Sequence, residues 1–120
     1  MDVEEEVTLY LRENDLLFKN WYLKQTQHET GVDFGEPVST LQDYRNAFNK
    51  WVEFHKVMLA KRICPHFDEI NNFKRPVDVV LFIISLIEDL AIVGGVVQVA
   101  TALFVYGIEN LCNTNESEKH

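Results

Sequence analysis

The chain of 120 residues has only two cysteines, Cys64 and Cys112, far apart and without any paired spacing. A disulfide framework is therefore not expected, and the sequence reads as one with free thiols in a reducing compartment. Basic residues are the minority, eleven Lys and Arg against nineteen Asp and Glu for a formal net charge of -8. Nucleic acid is a poor partner for such a chain, because neutralising phosphates needs a concentrated positive face. The opening Met-Asp-Val-Glu-Glu-Glu has neither the basic start nor the apolar core of a secretory signal, so a cytosolic location is expected. Internal repeats and low-complexity tracts are absent. The five glycines and three prolines serve mainly as breaks between apolar segments.

What is present is bulk. Apolar residues make up 47% of the chain, and eight Phe, four Tyr and two Trp can fill one core without disulfide or metal. One helical domain over residues 1–112 is expected, followed by a disordered polar tail over 113–120. Charge is unevenly spread. Residues 1–36 hold nine acids against Arg12, Lys19 and Lys24, whereas residues 37–76 hold four acids against seven bases, so the two segments should attract each other.

Val3, Val7, Tyr10, Leu11, Leu17, Phe18 and Trp21 recur every three or four residues and predict a helix over about 3–25, with a kink at Asn14-Asp15. His28 to Pro37 reads as a connection. Ser39 followed by Gln42 is a helix-start pair. The stripe Leu41, Tyr44, Phe48, Trp51, Val52, Met58 and Leu59, passing through His55, then runs to Cys64-Pro65, where proline should stop it. A short helix or turns should follow over 66–75.

Pro76 suits a first helical position, and Val77 to Leu90 is so apolar that a helix there must be buried. Gly94-Gly95 interrupts it, and Val96 to Cys112 reads as one further apolar segment. β-Branched residues keep strands open as an alternative here. Ala91 to Ile108 is eighteen residues without charge, long enough to raise a membrane anchor; a buried central helix shows the same run and is the preferred reading.

No catalytic or metal site is expected, and no cofactor. Cys64 and His66, with His55 near, lack the second ligand pair that zinc requires. Glu88 and Asp89 point about 100° apart on a helix and do not converge on one substrate atom. Gly94-Gly95 lacks the lysine and third glycine of a phosphate cradle. Phe48 and Trp51 could be binding anchors or core; aromatic residues at helical spacing are more often core, and both readings stay open.

Three stretches resemble the Bcl-2 family of apoptosis regulators. Leu41-Gln-Asp-Tyr-Arg-Asn-Ala-Phe48 resembles its third homology motif, with Leu41 and Phe48 matching and Arg45-Asn46 in place of the usual small and acidic pair. Phe82 to Val97 is similar to the first homology motif, with Leu86, Asp89, Gly94 and Val96-Val97 in register, and with Ile92, Val93 and Gly95 where the family has Asn, Trp and Arg. Leu16 to Gln25 resembles the family's amphipathic first helix. The chain is shorter than the family pattern and looks like a divergent homologue from a large DNA virus.

The resemblance implies an all-α, Bcl-2-like bundle around a hydrophobic central helix, truncated relative to the family. It implies an inhibitor of apoptosis that sequesters the amphipathic homology-3 helix of a pro-apoptotic partner in a hydrophobic groove. It nominates Phe48, Val52, His55 and Leu59 on one wall, with Phe82, Leu86, Gly94, Gly95 and Gln98 on the other. Homodimerisation would cover the apolar surface that missing helices leave. Losing the family's arginine at Gly95 removes a charge-assisted bond of about 1.5–3 kcal/mol, roughly one to two orders of magnitude in affinity, unless Lys56 or Arg45 substitutes. A similar bundle with a closed groove, acting through its outer surface as a viral inhibitor of innate immune signalling, is the alternative, and a small tail-anchored membrane protein is a third.

Overall fold

A computed structural model describes residues 2–27, 41–90 and 95–117, and among them every regular element is helical. The order is α1 (Val3–Arg12), α2 (Asn14–Gln27), α3 (Leu41–Ile63), a 3-10 turn (Cys64–His66), α4 (Phe67–Asn72), α5 (Pro76–Ile87), a second 3-10 turn (Glu88–Leu90), α6 (Val96–Tyr106) and α7 (Ile108–Ser117). The expected connection at 28–37, Ser39 and Gly94 lie outside the described residues.

Local chemistry sets the helix ends. Asp2 caps α1: its carboxylate accepts from the Glu5 amide at 2.8 Å while the Glu5 carboxylate accepts from the Asp2 amide at 3.2 Å. The expected kink falls at Glu13, where the side-chain amide of Asn14 donates to the carbonyls of Tyr10 and Leu11 and closes α1. Pro65 ends α3 and Pro76 opens α5. Gly107 adopts φ 110° and parts α6 from α7, so the single segment expected over Val96 to Cys112 is two helices; an apolar pattern that continues past a glycine hid the break. α7 reaches Ser117, beyond the Cys112 boundary expected from composition.

α6 occupies the centre. Its residues Gln98 to Leu103 are all buried, and it touches α1, α2, α5 and α7. No strand occurs here among the described residues. At eleven residues α6 is about 16 Å long against the roughly 30 Å of a bilayer core, and among the described residues no helix is long and apolar enough to cross a membrane.

α2 lies on α3 through aromatic rings. Trp21 meets Phe48 edge-on with centroids 5.1 Å apart, Phe18 meets Phe48 at 5.6 Å, and Phe48 stacks on Trp51 at 5.8 Å. Each such pair adds about 0.5–1.5 kcal/mol beyond the area it buries. Phe48 is thus a core residue, and Trp51 packs half-buried against it. The attraction between the acidic and basic segments is visible at one long-range point, the Arg75 guanidinium 3.7 Å from Glu4, which ties the start of α5 to α1.

Cys64 and Cys112 are joined in a disulfide, with Cα atoms 5.6 Å apart. This corrects the expectation of free thiols and removes one of its two grounds for a reducing compartment. The bond ties the turn after α3 to α7, whose adjacency depends on the whole bundle closing and so leaves no trace in cysteine spacing.

Candidate functional site: an apolar cleft between α4, α5 and the α6–α7 corner

Among the described residues, the walls expected from the resemblance are not brought together as a channel. Phe48, Val52 and Leu59 are fully covered, inside the same core as Trp21 and Ile83. His55 is half-buried with its ring against Trp51 at 4.4 Å, and burial pushes its imidazole below the ordinary value of 6.5. Phe82 and Leu86 are half-buried on α5, and the Phe82 ring lies against Phe73 and His66, at 5.3 and 5.7 Å. Gln98 is buried on the far side, where its amide donates to Glu6 Oε2 and to the Tyr10 hydroxyl, both at 3.1 Å.

Gly95 opens α6 with φ 95°, and a Cβ placed there would collide with Gln98 Oε1. A positive φ of this kind is one that only glycine adopts readily. Neither proposed substitute faces Gly95: Lys56 pairs with Glu53 at 3.6 Å, and the Arg45 guanidinium lies over the Phe18 ring at 4.7 Å.

A cleft of about 270 Å³ does open elsewhere. Its apolar walls are Phe67 and Ile70 from α4, Phe73 beyond it, Val79 from α5, and Phe104 and Ile108 at the α6–α7 corner, with Asn71 and Glu109 on the rim. Ile70, Val79 and Ile108 are buried in the cleft floor, while Phe73 remains 39% exposed at its mouth. The local reasons are short. Pro76 forces the chain to turn after Phe73, and Gly107 turns it again before Ile108, so the two corners face each other across the gap. The disulfide secures one side, because Ile108 and Glu109 lie within one turn of Cys112.

Two ion pairs flank the cleft's helices, one local to the start of α5 and one between elements. Asp78 is held below the usual carboxylate range by a hydrogen bond from Arg75 at 2.9 Å, and Asp89 likewise by Arg62 at 2.7 Å, which joins α3 to the end of α5. Glu88 and Asp89 are exposed, as a solvated helix end should be. Cys64 is committed to its disulfide and His66 Nδ1 to Glu69, and among the described residues no group of three His, Cys, Asp or Glu side chains converges as metal ligands do.

The cleft has the chemistry of a receptor for apolar side chains. Six apolar walls reward burial of a greasy group, and two polar rim groups fix its orientation. Sequence reading missed it because its residues come from irregular positions, two of them created by the Gly107 break. The one available signal was Phe67, Ile70 and Phe73, spaced by three in a short segment. Comparison with known protein families, with curated proteins and with solved structures finds no match for the chain.

Proposed function

We propose that the chain is a protein-recognition module rather than an enzyme, and that it takes anchor side chains from the apolar face of a partner's amphipathic helix into the cleft between α4, α5 and the α6–α7 corner. With the sequence resemblance, this reading makes it a Bcl-2-like inhibitor of apoptosis whose ligand is the homology-3 helix of a pro-apoptotic protein. The observation that carries it is the half-exposed Phe73 at the mouth of a cleft whose floor is Ile70, Val79 and Ile108. A cleft of about 270 Å³ is near the lower bound, about 300 Å³, of small-ligand pockets, so it seats side chains while the ligand's backbone stays outside. Anchors spaced by three and four along a helix suit that arrangement. Glu109 on the rim favours a ligand with a basic residue beside its anchor.

The test is calorimetric titration with pro-apoptotic amphipathic helices. The reading requires at least one to bind below about 10 μM, near 7 kcal/mol, and to weaken at least tenfold with Phe73→Glu. If every helix fails that threshold the reading is lost.

One observation favours the second reading, action through the outer surface on innate immune signalling: Phe48, Val52 and Leu59 are sealed by α2 and the core. Immune-signalling inhibition that persists in the Phe73→Glu variant supports it.

A further inference from the structure

α3 presents its most exposed apolar residues on the side away from the core. Phe54 is 86% and Val57 69% exposed, far more than any other large apolar side chain among the described residues. Lys50 and Lys61 are also exposed, and neither has an ion-pair partner among the described residues. At 100° per residue the four positions 50, 54, 57 and 61 fall within about 60° of one another on the helix surface. They form one strip about 16 Å long, with an apolar pair at its centre and a cation one turn beyond each end. Glu53 beside the strip is already paired with Lys56.

We propose that this strip docks an acidic amphipathic helix of another protein, on a surface separate from the cleft. Charge selects this occupant over the others. A second copy of the chain laid across the strip sets lysine against lysine at both ends, whether the helices run parallel or antiparallel. An anionic membrane is a poor match, because two lysines fall short of the roughly four to eight that mark lipid-binding clusters and the chain's net charge is -8. A helix carrying carboxylates at the lysine spacing meets both cations while its own apolar pair covers Phe54 and Val57. The spacing of four, three and four residues is the same read from either end, so such a helix fits in both directions.

The probe is a labelled synthetic helix of the pattern Glu-x-x-x-Leu-x-x-Leu-x-x-x-Glu, with alanine at x, titrated by fluorescence anisotropy; a second peptide has lysine at both ends. Binding of the glutamate peptide is expected to weaken at least tenfold with Phe54→Ala, with Val57→Ser and with Lys50→Glu/Lys61→Glu, and to be unaffected by Phe73→Glu in the cleft. The lysine-ended peptide should bind at least tenfold more weakly. All the substituted α3 positions are exposed, and circular dichroism checks that each variant is folded. The proposal is overturned by no binding up to about 1 mM peptide, by equal binding of the two peptides, by indifference to Phe54→Ala, or by a dimer of the chain alone that Phe54→Ala dissolves. Loss of binding on Phe73→Glu would also overturn it, by placing the peptide in the cleft.

Discussion

The side-chain amide of Gln98 donates a hydrogen bond of 3.1 Å to the hydroxyl of Tyr10, joining the central helix to the first helix across 88 residues of chain. The same hydroxyl accepts from Asn20 at 3.0 Å, and the same amide donates to Glu6, so three helices meet at one polar knot in an apolar interior. Gln98→Leu removes one of the two donors to the Tyr10 hydroxyl and a partner of Glu6 from the buried knot. It should cost about 1–3 kcal/mol, and Tyr10→Phe about 0.5–1.5 kcal/mol. Because the two side chains share one bond, the double variant should lose less than the sum of the two; urea denaturation of all four proteins measures the difference.

Gly95 and Gln98 constrain each other. An alanine at position 95 must hold φ 95° and push against Gln98 Oε1, so Gly95→Ala should cost about 1–3 kcal/mol in the same assay. Gly95→Arg should be at least as destabilising and should not improve binding of any ligand helix. A gain in affinity with arginine there would mean that the start of α6 faces the ligand.

Breaks made by proline and by a capping asparagine were legible in the sequence. Pro65 and Pro76 stop and start helices by removing a donor and fixing φ, and Asn14 competes for backbone carbonyls, whatever the tertiary context. The buried centre was legible as the preferred reading, since Val96 to Tyr106 has little polar surface, although strand and membrane anchor stayed open until the helix lengths were known. The site was not. Phe48, Val52 and Leu59 make the same stripe whether α2 covers them or a ligand does, and only the Trp21 contact decides. The cleft and the disulfide both depend on α7 folding back after Gly107, a bend that one glycine in an apolar run does not announce.

The disulfide should carry much of the stability. It closes a loop spanning 48 residues of sequence, which in the chain-entropy account is about 4 kcal/mol, an upper figure because the unfolded chain retains some structure. Cys112→Ser should therefore lower the urea midpoint sharply, and a dithiol reductant should do the same to the parent protein and nothing to the variant. Since Ile108 and Glu109 line the cleft just ahead of Cys112, reduction should also weaken ligand binding at temperatures where the rest of the bundle remains folded.

Acid should destabilise the protein in two separate ranges. Burial holds the His55 imidazole below 6.5, so as pH falls the unfolded chain takes up this proton before the folded chain does. Stability then declines as pH drops through about 6.5 and levels off, for this group, below its folded value. The carboxylates behave differently. Asp78 and Asp89 are depressed by Arg75 and Arg62, so their contribution is intact above the ordinary value of 3.8 and is lost only as pH falls toward their lower folded values. His55→Gln removes the first decline and leaves the second, whereas Arg62→Ala and Arg75→Ala reduce the second and leave the first. Melting temperatures taken from about pH 8 down to 3 separate the two. A His55→Gln profile that still declines between about pH 7 and 5 would assign the upper step to another group.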